Sequence, residues 1–290
     1  MTKKVKVIQN YNTFAQVNRV LKIKKSYSIS EVVADVTDFF SNGNHWAYQY
    51  GTPTPNCNPK SPYHRKQIEV IFEEKYDHWD VNRAVDKLVE KGFLRLETVG
   101  TANFVFRSDL RYYMREVKRR VKIIEVYASP VITRAVGNWC EKLVEIMFKL
   151  NDFEILRRDS NEFQGKKWTK TNQNLDFIVG KEGIAYGVEV KNTLPYMEAD
   201  EFLNKLEMCK YLDITPLWIL RNAPEVQFNT MKANSGLILK FKAQIYPYGQ
   251  EPLVGEIWQN MRLPVTVKAE MPQKVVNSLL SFHNRVISAN

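Results

Sequence analysis

The chain is poor in the residues that build covalent or metal-stapled scaffolds. Its three cysteines, Cys57, Cys140 and Cys209, are odd in number and far apart. That excludes a disulfide framework and points to a reducing compartment, so a cytoplasmic protein is expected. No CxxC pair is present, and no two of the four histidines (His45, His64, His78, His283) stand at zinc-ligand spacing. No run approaches the ~18 consecutive apolar residues of a membrane span. The basic opening Met1-Thr2-Lys3-Lys4-Val5-Lys6 is not followed by an apolar stretch, so no secretory leader is expected. Nothing repeats at a period of about 20–50 residues, and no segment is of low complexity.

What is present is globular. Hydrophobic residues make up 44% of the 290 positions and charged residues 26%. At roughly 100–200 residues per domain the length predicts two domains. The formal net charge is +10 and unevenly spread: residues 1–128 carry 22 Lys/Arg against 14 Asp/Glu, and residues 129–290 carry 20 against 18. The first half therefore holds +8 of the excess, which points to a polyanionic partner, nucleic acid before membrane. A solvated basic surface is the competing explanation.

In the first half, Ser30 to Phe40 has apolar residues at helical spacing after a Ser cap. The Pro-rich stretch from Gly51 to Pro62 reads as an exposed connector. His64–Tyr76 and His78–Lys91 are two further amphipathic segments, the second with Val81, Ala84, Val85, Leu88 and Val89 on one stripe and Gly92 as its stop. Residues 93–99 and 104–106 form an alternating pair around a Gly100-Thr101-Ala102-Asn103 turn. Asp109–Tyr127 then reads as a connecting helix with one basic face built from Arg111, Arg115, Lys118, Arg119, Arg120 and Lys122. Ser129-Pro130 is the expected boundary, giving domains 1–128 and 129–290.

The order of three helices and a hairpin over residues 28–108 resembles a winged helix-turn-helix, as does the phrase Leu88-Val89-Glu90-Lys91-Gly92-Phe93-Leu94. The resemblance implies duplex DNA as partner and 78–91 as the recognition helix. Arg83 and Lys87 are its groove-facing basic positions, because Val81, Val85 and Leu88 are needed in the core. Arg119 and Arg120 on the next helix are expected to follow phosphates. Trp46, Tyr48 and Tyr50 are weaker candidates for base stacking.

The second half has the order α-β-β-β-α-β-α-β: a helix over 137–150, strands at 153–157, 175–179 and 184–191, a helix over 197–212, a strand at 216–221, a helix over 225–233 and a strand at 237–241. That order predicts a mixed sheet flanked by helices, with a further helix near 273–286. Residues 159–174 read as a polar loop bordered by Arg157, Arg158, Lys166, Lys167 and Lys170. Along Ile184–Lys191, alternation places Ala185, Gly187, Glu189 and Lys191 on one face, with small residues leaving space beside a carboxylate and an ammonium. Asp176 lies in the neighbouring strand of the same hairpin. Two carboxylates and a lysine can thus meet at one end of a sheet. Carboxylate oxygens suit a hard divalent cation such as magnesium, and a lysine beside them can orient or deprotonate water or offset charge.

Asp176 with Glu189-Val190-Lys191 resembles the signature of the PD-(D/E)xK nuclease superfamily, in Leu-Asp rather than Pro-Asp form. The resemblance covers about residues 134–243. It implies a restriction-endonuclease-like fold beside the winged-helix-like domain, and magnesium-dependent hydrolysis of DNA phosphodiesters, with manganese as a substitute ion. It also implies catalytic roles for Asp176, Glu189 and Lys191, and a further glutamate on the preceding helix. Glu141 occupies that place, with Glu145 one turn on as the alternative; Asp176, Glu189 and Glu141 are then the metal ligands. Lys205 and Lys210, on the helix after the motif, read as a solvated face. A restriction or defence endonuclease is the leading expectation, and a homodimer is compatible with it. A structure-specific nuclease of the Holliday-junction resolvase kind, and a DNA-binding protein with an inert nuclease-like domain, are the alternatives.

Overall fold

The computed structural model describes residues 27–43, 48–49, 52–53 and 57–289. The Trp46 and Tyr50 stacking candidates and the Tyr48 side chain lie outside the described residues. The described chain is mixed α/β, with nine helices and one five-stranded mixed sheet. None of these helices is long and apolar enough to cross a membrane. The chain divides into two compact units. One runs to Arg134 and also takes in Gly249–Thr266; the other holds Ala135–Tyr248 and residues from Val267 onward. The division therefore falls inside a helix rather than at Ser129-Pro130.

The first unit begins with α1, Ile29–Asn42. Ser28 Oγ accepts from the Glu31 N–H and Glu31 accepts from the Ser28 N–H, so two otherwise orphaned donors are satisfied. The helix stops at Gly43, φ 78°, where a Cβ would lie 2.1 Å from the Cys57 carbonyl oxygen, so only glycine fits. Next come β1 (Tyr63–His64), α2 (Arg65–Phe72), α3 (His78–Glu90), β2 (Leu94–Val99) and β3 (Ala102–Arg107), the strands in the order β1-β3-β2. Val32, Val36, Phe39 and Phe40 of α1 meet Ile68, Ile71 and Phe72 of α2 and Val81, Ala84, Val85 and Leu88 of α3 in one core. The apolar stripe predicted on α3 is thus the one buried.

Helix α4, Met114–Tyr127, starts five residues later than its sequence pattern implies and buries Val117, Arg120, Ile123 and Ile124. The stretch before β1 is not an exposed connector along its whole length, since Cys57, Ser61 and Pro62 are buried. Helix α8, Glu251–Met261, also belongs to this unit: the buried Gln67 side chain donates to the Met261 carbonyl at 2.6 Å. The sequence reading placed no helix there, although Leu253, Val254, Ile257, Trp258 and Met261 stand at helical spacing.

The second unit is built on the sheet β8-β7-β6-β5-β4, with β4 Glu154–Ser160, β5 Leu175–Lys181, β6 Ile184–Lys191, β7 Thr215–Leu220 and β8 Leu237–Lys240. The β4–β5 and β5–β6 pairs are antiparallel, and β6–β7 and β7–β8 are parallel. One face packs on α5 (Pro130–Leu150) and α9 (Gln273–Ala289) through residues such as Cys140, Leu143, Val144, Leu279 and Phe282. The other packs on α6 (Ala199–Leu212) and α7 (Glu225–Ala233) through Phe202, Leu206, Cys209 and Met231. Proline at the first position of α5 lacks only an N–H that would be unbonded there, which lets the helix start seven residues before Gly137. The polar loop contains a short hairpin, Glu162–Phe163 with Lys166–Lys167, and a buried Trp168.

Candidate functional site

The register places the motif. Phe177 of β5 lies opposite Val188 of β6, so the next position along brings Asp176 beside Glu189 on the face covered by α6. The Val190 N–H donates to Asp176 Oδ2 at 2.7 Å, fixing that carboxyl at the strand end. Beyond Lys191 the chain is pinned. The Asn192 side chain donates to the Val136 and Ile245 carbonyls at 3.0 and 2.7 Å and accepts from the Ile245 N–H. The buried Arg221 donates to the Thr193 and Leu194 carbonyls at 2.9 and 2.6 Å. Both ends of the site therefore hang on buried polar contacts rather than on a free loop.

The small residues do not leave open space. A Cβ on Gly187 would meet Cys209 Sγ at 2.6 Å and the Ile214 and Leu175 methyls at 2.9 Å. The absent side chain lets α6 approach the sheet, and α6 fills the gap with its own chemistry. Glu189 is fully buried and is bonded by Lys205 Nζ, itself only 7% exposed. Lys191 lies 3.2 Å from the other Glu189 oxygen and 2.7 Å from Glu201, and Glu201 lies 3.5 Å from Lys205. Lys205 is thus not on a solvated face; its stem is buried by α6 packing and its ammonium is drawn to Glu189. Lys210 is exposed. Glu201 and Lys205 are the residues the sequence reading did not place in the site. Their i,i+4 spacing on the helix after the motif was the available signal, since it puts both on one helix face.

The electrostatics are those of carboxylates crowded in a dry place. Burial, then the charge of Asp176, pushes the Glu189 carboxyl up to about 7, against the two lysines. Burial also raises Asp176, although the Val190 N–H and both lysines oppose it. Burial works against the charged form of Lys191, but Glu189 and Glu201 override it and hold the ammonium well above the usual lysine range. Lys191 is therefore a cation here rather than a proton acceptor. Glu189 Oε1 is buried against the Lys191 ammonium at 3.2 Å, and the indole N–H of Trp218, the register neighbour of Glu189 on β7, is buried with no hydrogen bond.

Of the two candidate glutamates, Glu141 is the one coupled to this group. It is half-buried on α5 and is raised by burial and then by Asp176, with Lys191 and Lys205 opposing. Glu145 is instead held by Arg158 and Lys149, each at 2.5 Å, which bring it down to about 2. Among the described residues, no three His, Cys, Asp or Glu side chains are gathered as a ready metal-holding group. Asp176 and Glu189 remain as an adjacent pair. That suits a magnesium-like ion, which takes one or two carboxylates and keeps its waters. The raised Asp176 and Glu189 carboxyls are what such an ion would relieve.

The expected DNA contacts divide. Arg83 is exposed, with Asp80 3.6 Å away, and Lys87 is exposed. Arg119 is exposed and paired with Glu116 at 2.6 Å. Arg120 is a correction. It is buried and donates to the Pro62 carbonyl, to Ser61 Oγ at 2.9 Å and to Glu116 at 3.0 Å, with its guanidinium over the Tyr63 ring. Its donors are used in holding the segment before β1 to α4, so it is not a phosphate contact. Around the loop, Arg158 is taken by Glu145 and Lys170 by Glu207, while Lys166 and Lys167 are exposed. No family model matches the chain, and no curated protein matches it.

Proposed function

We propose that the chain is a divalent-metal-dependent DNA endonuclease, with the second unit as the cutter and the first as the part that holds duplex DNA. The carrying observation is the buried cluster at the β5–β6 strand ends: Asp176, Glu189 and Lys191, with Glu141 coupled to them from the opposite helix. The reading takes the mixed sheet, three antiparallel strands continued by two parallel ones, as a restriction-endonuclease-like core of the PD-(D/E)xK kind. It takes the α1-β1-α2-α3-β2-β3 order as winged-helix-like. A sheet interior does not otherwise favour two adjacent carboxylates whose charges oppose each other.

In this mechanism Asp176 and Glu189 would hold the cation, with Glu141 nearby. When bound, the cation polarises the scissile phosphate and lowers the pKa of a bound water. Lys191, a half-buried cation, offsets negative charge as it builds on the phosphate and orients the attacking water. Lys205 favours the charged form of Glu189 against the pull of burial, and Glu201, in contact with both ammonium groups, offsets their mutual repulsion. Arg221 and Asn192 fix the backbone that aims Lys191.

The test is incubation with plasmid, four-way junction and single-stranded DNA, with and without magnesium. Cleavage of duplex only in magnesium, and its loss in Asp176→Ala, is expected. Preferential resolution of the junction would favour a structure-specific nuclease of the resolvase kind, and DNA binding without any cleavage would favour the inert-domain alternative.

A further inference from the structure

Cationic side chains are not spread evenly over the exposed elements of the first unit. On α3, Arg83, Lys87 and the following Lys91 share the exposed surface with Asp86 and Glu90. The hairpin offers Arg95 and Arg107, but Arg107 is taken by Asp109 at 2.6 Å and Arg95 lies over the Phe106 and Tyr113 rings. Its turn, Gly100 to Asn103, carries no charge. Residues 111–122 differ, with six Lys/Arg against one acid, and five of the six are exposed.

On α4, Arg115, Lys118, Arg119 and Lys122 follow at helical steps of three and four. They fall within an arc of about 100°, away from buried Val117, Arg120 and Ile124. Arg111, Arg115, Lys118 and Lys122 form no ion pair among the described residues. At the N-terminal end of this stripe, Tyr112 is 95% exposed and has φ 59°. A bulky side chain rarely adopts that backbone region, so the fold holds an aromatic ring in water at a cost in strain.

We propose that α4 and Tyr112, rather than α3 alone, form the principal duplex-DNA surface of the first unit. The Arg115–Lys118–Lys122 stripe tracks phosphates, and the Tyr112 ring contacts bases or sugars at its end. The inference rests on the reading that the chain acts on DNA. A row of cations without partner acids has its counter-charge outside the chain, and phosphates at regular intervals supply it. An exposed ring at the end of such a row is the side chain able to stack on or wedge against a base, which neutral or acidic protein partners do not require.

The test is fluorescence anisotropy of the full chain with a labelled duplex over a salt series, without magnesium. Removing three phosphate contacts in Arg115→Ala/Lys118→Ala/Lys122→Ala should flatten the log–log salt dependence by roughly 2.7, at about 0.9 per contact, and lower affinity at least about tenfold. A charge-matched control, Lys60→Ala/Lys66→Ala/Lys274→Ala, should leave the slope unchanged. Tyr112→Ala should lower affinity roughly fivefold or more with the slope unchanged, because the ring carries no charge. If the wild type binds with a steep salt slope but the α4 triple and the control behave alike, this inference is overturned while the DNA reading stands. If the wild type shows no salt-dependent binding, both fall. All substituted side chains are exposed, and matched thermal melts confirm folding.

Discussion

Each unit buries charges, and two of them, Arg120 and Glu189, are treated oppositely. In the first, the buried Arg120 donates to a backbone carbonyl, a serine hydroxyl and a carboxylate. In the second, Glu189 is fully buried with two lysines against it, yet a second carboxylate, Asp176, stands beside it, and burial with that charge pushes its carboxyl up to about 7. A satisfied buried charge fixes a packing arrangement. One crowded by a like charge is stored electrostatic strain, the condition expected where chemistry needs a shifted carboxyl. Burial alone does not separate structural from functional charges; the bonding around them does.

The sharpest break in this comparison would come from the site. Asp176→Ala and Glu189→Gln should each lower magnesium-dependent plasmid cleavage by about a thousandfold or more, while anisotropy shows duplex affinity within about twofold of wild type. Lys191→Ala should lose most activity and keep metal affinity by calorimetry. Metal affinity lost along with cleavage would instead make Lys191 a shaping residue. Full activity in either carboxylate variant would remove the site.

Next in size are two of the buried cations, Arg120 and Lys205. Arg120→Met strands the Pro62 carbonyl, Ser61 and Glu116, and should cost about 3 kcal/mol in urea unfolding without changing the salt slope of DNA binding. Lys205→Met leaves Glu189 with Lys191 alone and should cost a similar amount, about 3 kcal/mol, while also shifting the pH profile of cleavage. An Arg120 variant of unchanged stability but weakened DNA binding would reverse the assignment made here.

The two units should also respond to acid with opposite sign. Burial, then Lys66, brings His64 of the first unit down to about 4. Its unfolded form takes up a proton near 6.5, so the unfolded state binds more protons between those values. Stability is then lost as pH falls from 6.5 to 4, by up to about 3 kcal/mol. Glu189 is raised to about 7 from an ordinary value near 4.5, so its contribution is lost as pH rises through that window. Urea midpoints at pH 7 and 4.5 for wild type and His64→Asn should show the variant losing the acid dependence of the first unit. The smallest effect should be at Glu145. Replacement by Gln removes two exposed ion pairs, worth about 0.5 kcal/mol, and leaves cleavage intact, whereas Glu141→Gln should slow cleavage about tenfold.

Much of this was legible along the chain. Stripes at 3.6-residue spacing gave α1 to α3, and alternation gave β5 and β6 with Glu189 and Lys191 on one face. Both signals are local, because one face of each element must be apolar. What failed was what depends on neighbours in space. Arg120 and Lys205 carry the same formal charge as the exposed lysines around them, and nothing local says which will be covered. Gly187 reads as open space, yet Cys209 of α6, Ile214 and Leu175 close on it.

By itself the sequence determined the order of the main helices and sheet strands over residues 137–241, the charge asymmetry between halves and the Asp176 to Lys191 constellation, because periodicity, composition and strand alternation are properties of contiguous residues. The tertiary structure alone decided that the segment 249–266 belongs with the first unit and that Glu141 rather than Glu145 is coupled to Asp176. It also decided that α6 lends Lys205 and Glu201 to the site. Each of these turns on distances between residues remote in the chain, and electrostatic coupling and desolvation depend on those distances and not on position along the backbone.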